Sequence, residues 1–156
     1  AMREPRDTQN KPMVVAVDGS AESEHALRWA AEQAPLIGCN LRIVTCYQHC
    51  YGGGEAQGVS WDHFESTKNS AQAQALEVIE RVMGTNEVEH VLSLGPIDAV
   101  LIDHSRGASM LVLGTRSSFG LRGKLRSSTT NRVTGKVTCP VMSIPLEAPV
   151  LQGARL

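Results

Sequence analysis

Met13 to Val17 is an almost unbroken apolar run rich in β-branched residues, the pattern of a strand covered on both faces. Asp18, Gly19 and Ser20 punctuate it. From Glu22 the spacing turns helical, with Ala26, Leu27, Ala30, Ala31 and Ala34 on one side, Ser20 positioned as N-cap and Gly38 beyond the end. Leu41 to Tyr47 repeats the strand signal, and the stretch from His49 to Ser60, with consecutive glycines at 52 to 54, reads as a long loop. A second helix is predicted from His63 to Met83, turning Ala71, Ala75, Val78, Ile79 and Val82 inward and stopping at Gly84. Val88 to Leu94 alternates less cleanly and suits a strand near an edge. Gly95 and Pro96 open a short helix through Ser105, with Pro96 in the first turn and Gly107 as the stop. A fourth strand, Met110 to Leu113, runs into Gly114; a helix of poor formers (Ser127 to Lys136) and a last strand, Val141 to Ile144, follow.

Strands alternating with helices at these intervals imply right-handed βαβ crossovers. The expected fold is α/β: a five-stranded, parallel, doubly wound sheet with helices on both faces. Residues 13–145 form the domain. Residues 1–12, which start with Ala1 ahead of Met2 in the manner of a cloning remnant, read as a disordered lead-in, and 146–156 as a tail.

Composition narrows the partners. At 156 residues the chain has the size of one domain, and its 42% apolar and 20% charged residues exclude wholesale disorder. Fifteen Lys and Arg against sixteen Asp and Glu give a formal charge of -1, so no global field draws the chain to nucleic acid or to an anionic membrane. No apolar run approaches the roughly 20 residues that span a bilayer, and the first residues lack the hydrophobic segment of a signal peptide; the expected location is the cytoplasm. Cys39, Cys46, Cys50 and Cys139 form no CxxC pair and read as buried free thiols.

In an open parallel sheet a ligand sits beyond the carboxyl ends of the strands, near the point where strand order reverses. Three segments meet that condition: Asp18 to Ser20, Cys46 to Gln48, and the segment from Gly114 to Thr130. The last combines glycines, hydroxyls and the bases Arg116, Arg122, Lys124 and Arg126 ahead of a helix start, a combination suited to phosphate. It fails the P-loop pattern, because Ser118 stands where a glycine is required and Leu125 follows Lys124. Cys46, His49 and Cys50 suggest zinc, but no fourth ligand follows at a regular spacing. His25, His63, His90 and His104 are scattered without a Gly-x-Ser-x-Gly elbow. No metal or catalytic residue is assigned.

Four pieces in order carry a resemblance: Val14 to Ser20, Gly95-Pro96, Leu111 to Arg116, and Thr138 to Val141 with its Cys-Pro-Val. The chain resembles the universal stress protein family over residues 13 to 145. The resemblance implies an adenine nucleotide α-hydrolase-like open sandwich, a homodimer paired through the last strand, and in one branch ATP held by Gly-x2-Gly-x9-Gly-Ser/Thr. In this chain Gly114 matches the first glycine, Ser117 and Ser127 stand where the other two belong, and Ser128 fits the final hydroxyl.

The resemblance thus implies a nucleotide site of Asp18, Gly19, Ser20, Cys46, Gly114, Thr115, Arg116, Ser117, Ser127, Ser128 and Thr129. Asp18 would accept from ribose hydroxyls, and the backbone near Cys46 would meet the base. ATP or AMP is the implied cofactor, with Mg²⁺ accompanying ATP, and catalysis is at most slow ATP hydrolysis. The alternative, favoured by Ser117 and Ser127, is a family member that has lost nucleotide binding and acts as a dimeric interaction protein.

Overall fold

The computed structural model describes residues 11–47, 61–85, 87–115 and 128–146. Five strands, β1 (Met13–Ala16), β2 (Leu41–Tyr47), β3 (Glu89–Leu94), β4 (Met110–Thr115) and β5 (Val141–Pro145), alternate with four helices, α1 (Ala21–Ile37), α2 (Trp61–Met83), α3 (Ile97–His104) and α4 (Ser128–Thr134). The strands form one sheet in the order β3-β2-β1-β4-β5, and every neighbouring pair is parallel. Strand order therefore reverses at β1: the chain moves outward through β2 to β3, then returns to place β4 on the other side of β1.

The apolar run of β1 is explained by burial from both sides. Met13, Val15 and Val17 join Ala26, Leu27, Ala30 and Ala34 of α1 and Ala75, Val78 and Ile79 of α2 in one core. Val14 joins Val44, Leu111 and Leu113 of the sheet, Val100 and Leu101 of α3 and Val133 of α4 in the other. Because successive strand side chains point to opposite faces, a central strand between two helical layers must be apolar at every position. The outermost β3 carries no fully buried side chain, and its Glu89 pairs across to Arg42 of β2 at 2.9 Å, as expected for an edge.

Element ends follow the local chemistry. Ser20 caps α1, and Gly38, at φ +85°, closes it with its N–H on the Ala34 carbonyl at 2.8 Å. A left-handed residue at that position costs glycine little and other residues about 1–2 kcal/mol. Pro35 lies inside the last turn of α1, where the helix continues to Ile37.

Three expectations are corrected. Pro96 stands just outside α3, as its N-cap: its ψ of 139° is extended, the non-helical backbone of a residue that flanks the first helical turn. β4 does not end before Gly114: Gly114 pairs with Ile144 and Thr115 with Pro145, so both are strand residues. Cys39, Cys46 and Cys139 are free but only partly buried, since each sits at the margin of a core. Cys50 lies outside the described residues, as do 1–10 and 147–156.

Candidate functional site

The β1–α1 turn is closed by a ring of hydrogen bonds among Asp18, Ser20 and Ser23. The Ser20 N–H and Oγ–H both donate to Asp18 Oδ1, at 2.9 and 2.5 Å. Ser20 Oγ in turn accepts from the Ser23 N–H at 3.2 Å, which is the helix cap. Ser23 Oγ accepts from the Asp18 N–H and donates to the Ser20 carbonyl, both at 3.1 Å. Each hydroxyl has one proton, and both protons are donated within the turn. The Asp18 side chain stands exposed at its rim. Gly19, at φ +89°, lies under Gln74: a β carbon at Gly19 would fall 3.1 Å from both the Gln74 Cβ and Oε1.

Gly114 sets the distance between the two strands' ends and the helix. A β carbon there would lie 2.1 Å from the Glu22 carbonyl oxygen and 3.1 Å from the Ser23 nitrogen. Only a residue with no side chain lets the first turn of α1 rest on the end of β4.

Two compartments meet beyond the carboxyl ends of β1, β2 and β4. The first, about 120 Å³, lies where strand order reverses and is walled by Val17, Val44, Ile97 and Leu113, with Asp18, Ser20, Cys46 and Gly114 around it. The second, about 470 Å³, lies between α2 and the end of β2 and is lined by Thr45, Tyr47, Ser66, Thr67, Ser70 and Gln74. Asp18 and Cys46 line both. Tyr47 is held edge-on against Phe64 of α2, ring centroids 5.8 Å apart, which ties the second compartment's wall to the helix.

Burial, reinforced by the nearby Asp18 carboxylate, pushes the Cys46 thiol up to about 11. It is protonated at neutral pH, so it is not a resting thiolate nucleophile. Thr45 is spent as well. Its hydroxyl donates to the Val17 carbonyl at 2.8 Å and so accepts from His90 Nε2 at 2.9 Å, fixing the proton on that nitrogen of a neutral ring. His104 instead meets Ser93 Oγ at 3.3 Å, near the sheet edge. Among the described residues the lining of the two compartments holds carboxylates, hydroxyls and an amide, without lysine, arginine or histidine. Such a set binds through hydrogen bonds and offers no general base of the histidine type.

Of the residues singled out from sequence, the structure brings Asp18, Ser20, Cys46 and Gly114 to one crevice, with Gly19 in the turn between them. Thr115 ends β4, and Ser128 and Thr129 begin α4. Arg116, Ser117 and Ser127 lie outside the described residues, as do Arg122, Lys124, Arg126 and the stretch from His49 to Ser60 that the sequence predicts as a loop. Sequence reasoning missed the polar side of α2. Its signal was available as Ser66, Ser70 and Gln74 at intervals of four, one helical face, but only the apolar face of that helix was read.

The universal stress protein family model matches residues 9–145. The chain belongs to the universal stress protein family. It is 30% identical over 149 residues to a universal stress protein of Mycobacterium tuberculosis, covering 92% of this chain and 51% of that one. A second relative from the same species is 25% identical and 47% covered, so the chain spans about half the length of the curated relatives it matches. Among solved structures, universal stress protein UspA from Lactobacillus plantarum shares the fold with a TM-score of 0.68 at 19% identity, over 86% of this chain and 97% of that one. The universal stress protein from Archaeoglobus fulgidus in complex with dAMP is similar at 25% identity and a TM-score of 0.52, again over 86% and 97%. The doubly wound parallel sheet is the one that the family resemblance implied. No described helix is long and apolar enough to cross a membrane.

Proposed function

We propose that this chain is a regulatory, adenine-nucleotide-binding module, acting in the cytoplasm, and that the crevice between the ends of β1 and β4 is its nucleotide site. The observation that carries the reading is the meeting of Asp18, Cys46 and Gly114 at the reversal of strand order, where open α/β sheets hold ligands. The residues fit the group. Val44, Ile97 and Leu113 offer apolar walls to a flat base, Gly114 lies on the lining with the first turn of α1 packed against it, and Asp18 presents a carboxylate to hydroxyl donors. The dAMP held by the Archaeoglobus fulgidus relative supports the adenine class. On this reading the family motif assigns the phosphates to the stretch that begins at Gly114, of which residues 116–127 lie outside the described residues, with Mg²⁺ accompanying a triphosphate. Pairing of two copies through the edge strand β5, which leaves Met142 partly exposed, is the accompanying quaternary proposal.

Isothermal calorimetry with ATP, ADP and AMP, with and without Mg²⁺, tests it. Micromolar binding of one nucleotide is expected. No heat from any of them, with folded and nucleotide-free protein, would leave the interaction protein without a nucleotide as the reading.

A further inference from the structure

One ion pair joins α3 to α4 next to a wall of the first compartment. α3 starts just past the carboxyl end of β3, so its first turn stands at the end of the sheet where ligands sit, and Ile97 of that turn lines the crevice. The next residue is Asp98, whose Oδ2 accepts from Arg132 Nε of α4 at 3.2 Å. α4 in turn begins with Ser128 and Thr129, which the family resemblance assigns to the nucleotide. This helix is poorly secured by its own sequence. It has seven residues, and the poor helix formers Ser, Thr and Asn fill the first four positions. Among its described side chains only Val133 is buried, in the core shared with Val100 and Leu101 of α3. A single buried residue fixes the depth of a helix and leaves rotation about that contact open. Arg132, one position earlier and about 100° round the helix, supplies a second point of attachment. Asp98 suits the other end of the tie, because a carboxylate in the first turn of α3 is favoured by the helix dipole, and Pro96 gives that turn no side-chain cap.

We propose that Asp98 is a positioning residue of the nucleotide site: through Arg132 it fixes α4 against the first turn of α3, and so sets the segment assigned to the phosphates in register with the wall that Ile97 gives the base. This rests on the reading of the crevice as an adenine-nucleotide site, and it adds two residues, Asp98 and Arg132, that lie outside the family motif. Asp98 acts through Arg132 and does not touch the ligand. Its charge and its tie have opposite consequences. A carboxylate near phosphates repels them, so removing the charge alone would tighten binding, whereas losing the tie weakens it. The sign of the effect therefore separates the two roles.

The test is calorimetric titration of the full chain with ATP and Mg²⁺, and with adenosine, in the wild type, in Asp98→Asn, in Arg132→Gln and in the double variant. The pair is solvent-accessible, so each substitution leaves the domain folded, and a thermal melt checks this. An exposed ion pair sets the scale: each single variant is expected to bind ATP roughly two- to five-fold more weakly, with adenosine changed less. The double variant should be no weaker than the single ones, because residues that act through one contact do not add. ATP binding that is unchanged or tighter in Asp98→Asn overturns the positioning role, including the case in which Arg132→Gln alone loses affinity and Arg132 is itself a phosphate ligand. Equal losses for ATP and adenosine overturn it as well, in favour of a general effect on the fold, and leave the nucleotide site standing. Absence of ATP binding in the wild type overturns the nucleotide reading and this inference together.

Discussion

At Gly114 a missing side chain does more than loosen a loop. The residue belongs to β4, pairs with Ile144, and allows the Glu22 carbonyl to approach to where a β carbon would stand 2.1 Å away. Backbone on both sides of the clash leaves no flexible side chain to move aside. Gly114→Ala is therefore expected to destabilise the domain by about 3 kcal/mol, at the upper end for overpacking, because relief requires α1 to separate from β4. Urea unfolding of the variant measures it, and a change under about 1 kcal/mol would mean that the helix start shifts easily. The motif reading assigned Gly114 to a phosphate loop. The structure adds a packing requirement that holds whether or not nucleotide binds. Asp18 has a similar double character: its Oδ1 anchors Ser20, while its exposed side chain lines both compartments.

Among the elements, α1 organises the site. Its N-terminus is held by the Asp18, Ser20 and Ser23 ring, its first turn rests on Gly114, and its Glu24 ties it to α2. Arg81 grips both oxygens of Glu24, at 2.8 and 3.1 Å, and Arg28 adds a third contact at 2.8 Å. These guanidinium hydrogen bonds, Arg81 first, hold the Glu24 carboxyl below its ordinary range against a smaller opposing effect of burial. Ser20 connects the cap to the turn, so Ser20→Ala removes the acceptor of the Ser23 N–H and a donor to Asp18 together. The expected loss is about 1 kcal/mol, typical of a serine N-cap, read as a lower urea midpoint with an unchanged slope. A midpoint within error of the wild type would show that water replaces the cap at no cost. α1 was legible in the sequence from cap to glycine stop, because both signals are local. Its contact with Arg81 was not, since 57 residues separate that arginine from Glu24.

For the whole molecule, acid sensitivity arises where β3 meets β2. Burial lowers the His90 pKa below its ordinary 6.5. The unfolded chain therefore takes up the proton first as pH falls, so stability is fully present above about 6.5 and declines below it. Glu24 acts in the same direction at lower pH: its folded pKa is depressed, and its contribution is present above the ordinary 4.5 and lost as pH falls through the folded value. The expected profile is a fall in urea midpoint beginning near pH 6.5, before the carboxylate range. His90→Gln keeps an amide donor for Thr45 and removes the titration, so it should flatten that first limb and leave the second. An unchanged slope between pH 6.5 and 5 in the variant would assign the limb to other groups.

The sequence by itself determined the order and type of the elements, because hydrophobic period, caps and glycine stops are properties of neighbouring residues. It also determined the parallel sheet, since helices between strands force crossovers. Strand covering was readable too: β1 is apolar at every position, while β3 mixes in Glu89, His90 and Ser93 and lies at an edge. Only the tertiary structure decided what meets at the strand ends. It set Gln74 over Gly19, the first turn of α1 on Gly114, and His90 behind Thr45, contacts between residues far apart in the chain. It also turned the small polar face of α2 toward Asp18, giving the site a second compartment that no local motif announces. The physical reason is that a local pattern specifies which face of an element is buried, whereas the sheet's order of strands specifies which elements that face will meet.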